Sequence, residues 1–273
     1  MARRWLVTGC SSGLGQALAA AAAEAGDEVV ATARKPAALE DLRRRHGGRI
    51  LPLALDVRDA EQCRNAVAAA VDRLGGLDVL VNNAGNGVFG TVEEVGDEEL
   101  RDQLETLVVG PWRLARLVLP VLRAQGSGHV LNVSSLAGRM SFPGLAAYVT
   151  GKHALEGMTQ ALAAEAAPFG IRVAALEPAG YATRYGTSLT DAADRSALYR
   201  DATEPMREQL RGMAQLPTVS RPEDFARDVL RIVAADTPLP VRIPVGAGSL
   251  DSIAAAVHAG AEELAAVRGL LDG

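Results

Sequence analysis

Short apolar runs alternate with alanine-rich stretches of helical length, and this alternation leaves the chain few folds to adopt. Residues 4–8, 28–33, 50–55 and 77–81 have the length of strands and lack a polar face. Between them lie 14–25, 36–46 and 59–74, each long enough for a helix. Further strands are predicted at 128–133, 171–176 and 241–245, separated by helical patterns over 97–125 and 148–168. A strand apolar on both sides must be covered on both sides, and strands separated by helices are joined by crossovers. The pattern therefore predicts an α/β fold, a doubly wound and mostly parallel sheet with helices on both faces. No linker, repeat or low-complexity tract divides residues 1–273, so a single domain is expected. Its least regular part, 181–220, is polar and carries Pro205 and Pro217; it reads as a helical excursion that can serve as a substrate-binding lid.

Charge and cysteine content exclude several classes. The net charge is -5 with no basic run, which argues against nucleic acid and membrane as partners. No apolar stretch approaches the roughly 18 residues of a spanning helix, and Met1 to Trp5 lacks the apolar core of a secretion signal. Cys10 and Cys63 cannot build a disulfide framework, and no Cys/His cluster has metal-ligand spacing. A cytoplasmic protein without a metal is expected. Of 28 basic residues only Lys35 and Lys152 are lysine, an arginine excess that fits a GC-rich coding bias.

The first strand runs directly into Thr8-Gly9-Cys10-Ser11-Ser12-Gly13-Leu14-Gly15, and a helix follows. Glycines permit a tight turn and let backbone N–H groups approach a pyrophosphate, and the helix N-terminus adds partial positive charge. Gly9, Ser11, Ser12, Gly13, Leu14 and Gly15 are thus candidates to hold a dinucleotide. The second strand ends Ala33-Arg34-Lys35, where an NAD site would normally place a carboxylate for the ribose 2′-hydroxyl. A guanidinium there suits a 2′-phosphate, so NADP(H) is favoured, with Arg34 and Lys35 reading it and Ser12 able to add a hydroxyl.

Tyr148 and Lys152 stand four apart on a helical pattern, which puts both on one face. A free phenol has a pKa near ~10, and a nearby ammonium favours the phenolate. Tyrosine so tuned can give a proton to a ketone oxygen or take one from an alcohol. Ser134-Ser135 closes the preceding strand, with Ser135 13 residues before Tyr148.

In this order and spacing, T-G-x-x-x-G-x-G, Asn82-Asn83-Ala84-Gly85, Ser135 and Tyr148-x-x-x-Lys152 resemble the short-chain dehydrogenase/reductase family, with its Rossmann-like fold. The resemblance implies that Ser135 polarises the substrate oxygen, Tyr148 transfers the proton, and Lys152 binds the nicotinamide ribose while lowering the tyrosine pKa. It further implies that Asp56 and Val57 meet the adenine, and that Asn83, Ala84 and Gly85 brace the sheet beside the cofactor. Pro178, Gly180 and Thr183 would meet the nicotinamide carboxamide. The match runs from about residue 4 to 185. Three departures stand out. Leu107 occupies the position of the family's fourth catalytic residue, an asparagine that anchors a water in the proton relay; Gly151 replaces a usual serine; Ala179 stands where Pro-Gly is usual.

Other candidates have simpler readings. The four histidines form no ligand spacing, and His153 points off the catalytic face. Glu93-Glu94 and Asp97-Glu98-Glu99 read as a solvated acidic face before a helix. Cys10 reads as a small packing residue. The chain is expected to be an NADP(H)-dependent oxidoreductase interconverting a ketone and a secondary alcohol on a hydrophobic small molecule. Phe89, Met140, Phe142, Tyr181 and Tyr185 flank the site segments and are expected as its substrate walls. A homodimer or homotetramer is expected from the resemblance. Alternatives are a non-redox NADP-binding sensor or scaffold, which Leu107 alone favours, and a redox-neutral, epimerase-like enzyme.

Overall fold

The computed structural model describes residues 2–272. Among the described residues nine strands form: β1 (Arg4–Val7), β2 (Glu28–Ala33), β3 (Ile50–Ala54), β4 (Val79–Asn82), β5 (Val88–Phe89), β6 (Gly128–Val133), β7 (Ile171–Pro178), β8 (Thr190–Asp191) and β9 (Arg242–Val245). Ten helices accompany them: α1 (Gly13–Glu24), α2 (Glu40–His46), α3 (Ala60–Leu74), α4 (Asp97–Leu104), α5 (Gly110–Gln125), α6 (Ala146–Ala166), α7 (Tyr185–Ser188), α8 (Arg200–Gly212), α9 (Pro222–Ala234) and α10 (Ser249–Leu271). Seven strands pair in parallel in the order β3-β2-β1-β4-β6-β7-β9. The expected doubly wound sheet is therefore present.

β1 shows why both faces are apolar. Side chains alternate along a strand, so Trp5 and Val7 enter one core with Leu18 of α1 and Phe225 and Val229 of α9. Leu6 enters the opposite core with Val67 of α3 and Leu114, Val118 and Leu122 of α5. The Trp5 indole N–H, buried with its ring, donates to Asp27 at 2.8 Å.

Three features depart from the sequence reading. The pattern over 97–125 is not one helix: α4 and α5 are joined by a π-helical segment at Glu105–Val109, where the Gly110 N–H reaches the Glu105 carbonyl. β5 and β8 form a small parallel pair outside the main sheet. α10, on which the sequence reading was silent, runs 23 residues from the edge of the fold. The 181–220 excursion is closed at its base by a bridge between Tyr181 and Ser220, and β8 ties its first third to β5.

Candidate active site

The C-terminal ends of the sheet strands open into one cavity of about 1180 Å³. In open α/β sheets this is where the strand order diverges and where ligands bind. Here β1 and β4 contribute the diverging turns.

At one end lies the turn after β1. Gly9 has φ +72°, and a methyl group on it would come within 2.8 Å of the Ala84 Cα. Only glycine fits. A methyl on Gly15 would run into the Gly9 carbonyl at 2.6 Å, so this glycine permits close packing of helix on turn and does not line the cavity. Gly9, Ser11, Ser12, Gly13 and Leu14 do line it. Asn83 braces the turn by donating from Nδ2 to the Thr8 carbonyl at 2.8 Å, while the Thr8 hydroxyl accepts from the Asn83 and Ala84 N–H groups at 2.9 Å. This is a ready cradle for a pyrophosphate, so the residues fit a dinucleotide.

Arg34, Asp56 and Val57 continue the wall from β2 and β3. Asp56 is paired with Arg58 at 2.8 Å, and hydrogen bonds from Arg58 hold its carboxyl below the usual range. Lys35 follows Arg34 into solvent and is not part of the wall.

Ser135, Tyr148 and Lys152 line the middle of the same cavity, together with Asn83, Ala84 and Gly85. Ser135 stands two residues past β6 in extended backbone, and its Oγ accepts from the Ala137 N–H at 3.1 Å, fixing the turn. Tyr148 and Lys152 are both buried, and the Lys152 Nζ donates to the Val133 carbonyl at 2.7 Å. Nζ also lies 5.5 Å from the Tyr148 ring centroid. Burial raises the Tyr148 phenol above its ordinary value, while the Ser135 and Tyr185 hydroxyls beside it work the other way. Lys152 is pushed down to about 8 by burial, against the pull of Glu156 one turn along α6. Desolvation is the dominant influence on Tyr148, since a phenolate in a dry site lacks its water shell, and the groups that oppose it are the Ser135 and Tyr185 hydroxyls, not Lys152 as expected.

Leu107 is fully buried within the π-helical segment, in a cluster with Phe89, Leu145 and Tyr148. Its methyls cover two glycines: a Cβ on Gly151 would lie 2.9 Å from Cδ1, and one on Gly85 3.1 Å from Cδ2. Two of the three departures from the family pattern, Leu107 and Gly151, therefore pack against each other.

Pro178, Gly180 and Thr183 line the wall leading to the excursion, and the Thr183 methyl faces Gly13 across the turn. Of the expected substrate walls, Phe142, Tyr181 and Tyr185 face the cavity; Phe89 and Met140 do not. Phe89 is instead a buried floor, with Arg195 and Arg207 stacked 5.0 and 4.8 Å from its ring. The Tyr185 ring sits 5.4 Å from that of Tyr148, so the excursion puts an aromatic directly over the central pair.

Two polar sets were missed. Asn82 Nδ2 donates to Asn132 Oδ1 at 2.8 Å and Asn132 Nδ2 to the Thr159 hydroxyl at 2.8 Å, a buried ladder tying β4 and β6 to α6. The available signal was Asn132 inside an otherwise apolar strand, with Asn82 at the end of its neighbour. Glu94, read as part of a solvated face, is buried and accepts from the Thr91 N–H at 2.9 Å and the Ser196 N–H at 2.7 Å. It anchors the excursion, and its Arg195 partner lies 3.4 Å away. Cys10 is a packed, buried thiol pushed up to about 12.

Comparisons with known proteins agree with this geometry. Residues 3–194 match the family model for short chain dehydrogenases. Oxidoreductase BOA17 of Botryotinia fuckeliana is 39% identical over 252 residues, covering 92% of this chain and 91% of its own. A short-chain dehydrogenase from Streptomyces avermitilis superposes with a TM-score of 0.89 at 37% identity, over 100% of this chain and 98% of that one. A 3-ketoacyl-(acyl-carrier-protein) reductase from Brucella melitensis, solved with NADH, gives a TM-score of 0.77 at 28% identity, over 90% and 98%. With the turn, the Ser135–Tyr148–Lys152 group and the sheet order all in place, the chain belongs to the short-chain dehydrogenase family, oxidoreductases acting between an alcohol and a carbonyl.

Proposed function

We propose that the chain is an NADP(H)-dependent reductase of hydrophobic ketones, or in reverse a dehydrogenase of the corresponding secondary alcohols. What carries this is the opening of Ser135, Tyr148 and Lys152 into one cavity with the glycine turn and Arg34. Gly9, Ser11, Ser12, Gly13 and Leu14 hold the pyrophosphate, Arg34 the 2′-phosphate, and Asp56 and Val57 border the adenine; Lys35, outside the cavity wall, is not assigned to the phosphate. Pro178, Gly180 and Thr183 border the nicotinamide, and Lys152 binds its ribose. The bound nucleotide supplies the hydride.

The protein supplies orientation and a proton. Ser135 donates a hydrogen bond to the substrate oxygen, and Tyr148 hands it the proton as negative charge develops there. A neutral phenol is the required form for reduction, and burial of Tyr148 favours it. Phe142, Leu145, Tyr185, Met206, Leu210 and Met213 make the substrate end largely apolar, which supports a hydrophobic substrate. Residues 181–220 act as the lid of a single domain, opening for entry and closing Tyr185 over Tyr148. Cys10 and Cys63 are free thiols, which supports a reducing, cytoplasmic setting. The Brucella relative bears on keto reduction, but its NADH leaves nucleotide choice to Arg34.

The test is a panel of hydrophobic ketones with NADPH, followed by loss of reduced-nicotinamide absorbance. Turnover is expected, and Tyr148→Phe should lower kcat by ~10²-fold or more with NADPH affinity retained. Tight NADPH binding without turnover on any ketone would instead indicate a sensor, and a net-unchanged nicotinamide with altered product an epimerase-like enzyme. Arg34→Ala should weaken NADPH by about tenfold or more, the loss of a charge-assisted pair, with little change for NADH. Equal losses would remove Arg34 from the 2′-phosphate.

A further inference from the structure

Tyr185 reaches the central group from outside the main sheet. It opens α7 on the 181–220 excursion, and its N–H donates to the Thr183 hydroxyl at 3.3 Å. The backbone beside it is seated against α8, since a methyl on Gly186 would collide with the Leu210 carbonyl. The far end of the side chain lies against the loop between β4 and β5: a Cβ on Gly87 would come 2.8 Å from the Tyr185 hydroxyl oxygen. Held at both ends, the ring is tilted 49° to that of Tyr148, with 5.4 Å between centroids.

The hydroxyl at its tip is closed to solvent and makes no hydrogen bond among the described residues. It stands beside the Tyr148 phenol, as does the hydroxyl of Ser135. A buried hydroxyl without a partner is costly in any fold. An oxygen that gains negative charge next to it would supply the missing acceptor.

Tyr148 has few other donors to call on. Phe89, Leu107, Leu145 and Leu210 in its cluster are apolar. Lys152, the cation on the same helix, donates to the Val133 carbonyl and feels Glu156. Arg195 and Arg207 stack on Phe89 but are paired with Glu94 and Asp191. The Ser135 hydroxyl serves the substrate oxygen in the proposed reaction. Tyr185 is left for the phenol.

In reduction the substrate carbon takes a hydride and its oxygen takes the Tyr148 proton. The phenolic O–H bond breaks as the alcohol O–H forms, and negative charge remains on the Tyr148 oxygen. A donor already placed at that oxygen gains strength only as the charge develops, and such a contact lowers the barrier. Contacts of this kind are often loose in the free enzyme and tighten during reaction.

We propose that Tyr185 is a further catalytic residue, whose hydroxyl donates to the Tyr148 oxygen as that oxygen gives up its proton. The assignment rests on the proposed function and deepens it, because it puts part of the proton-transfer machinery on the excursion. A substrate that displaces Tyr185 would then lose rate as well as affinity.

Tyr185→Phe removes one oxygen and keeps the ring, and unchanged circular dichroism verifies the fold. The first readout needs no turnover. The chain has four tyrosines, so replacing them with fluorotyrosine, a more acidic phenol, gives four fluorine NMR signals. The signal lost in Tyr148→Phe belongs to Tyr148. In Tyr185→Phe this phenol should become about a tenfold weaker acid, the loss of one hydrogen bond to a charged group. The second readout uses NADPH and a ketone that the parent reduces: kcat should fall by ~10-fold to 10²-fold at unchanged KM. A Tyr148 titration that stays in place would overturn the assignment. So would a raised KM at full kcat, the mark of a residue that only lines the wall. A parent inert toward every ketone would sink the proposed function, while the NMR titration would still decide whether Tyr185 supports the Tyr148 phenolate.

Discussion

Leu107 and Gly151 meet between the π-helical segment and α6, with Tyr148 and Lys152 on either side of the glycine. A hydroxymethyl at 151 would press on the leucine, and an asparagine at 107 would bury an amide among Phe89, Leu145 and Tyr148. Each single change, Gly151→Ser or Leu107→Asn, should cost about 1–3 kcal/mol in urea unfolding. The double variant should cost less than their sum by ~0.5 kcal/mol or more, the signature of contacting residues. Strict additivity would separate the two positions. Lys152 can be followed directly, because Lys35 is the only other lysine. With side-chain carbon labelling, its signal should titrate near about 8, and Glu156→Gln should move the midpoint lower. An unmoved midpoint would mean that Arg242, 3.2 Å from Glu156, already cancels that charge. The sign for stability follows: the unfolded chain keeps this proton up to about 10.5. Lys152 therefore opposes folding below about 8, and the opposition fades as pH rises through that window. Motif residues such as Ser135 and Tyr148 were legible because their separation is local. Glu94, Asn132 and Glu156 were not, since their partners are set by which strands and loops become neighbours.

Among elements, the alternation of strands and helices was legible almost throughout, and most boundaries shifted by a residue or two; α2 is the exception, beginning at Glu40 where the pattern predicts 36, after a 3-10 turn at Pro36–Leu39. The division of 97–125 was marked only faintly, by Gly110-Pro111. Pro111 has no N–H to offer the Leu107 carbonyl, so an unbroken α-helical ladder is impossible there. Gly110 also packs on Val57, where a Cβ would lie 2.9 Å from its side chain. Helix ends are equally physical. α3 stops at Gly75, which holds φ +70° while its N–H reaches the Val71 carbonyl. A methyl there would touch nothing within 4 Å, so Gly75→Ala isolates backbone strain and should cost about 1–2 kcal/mol in urea unfolding. Gly75→Asn should cost less. Equal stability of the alanine variant would show that this helix end relaxes freely. β5 and β8 escaped notice because two residues carry no periodicity.

At the scale of the molecule, the doubly wound sheet followed from apolar patterning, and the 181–220 excursion from its composition. α10 was harder to anticipate, because it is rich in alanine and most of its length is exposed. The strand order carries one more consequence. β1 to β4, drawn from residues 4–82, occupy adjacent places as β3-β2-β1-β4, and β6, β7 and β9 complete the other side. Arg34 and Asp56 belong to the first group; Ser135, Tyr148, Lys152 and the excursion belong to the second. Under the proposed function the two sides would therefore be separable: substitutions around Arg34 would change which pool of reducing equivalents is drawn upon, those around Ser135 and the excursion would change which compound receives them, and the β4–β6 pairing holds the two sides together.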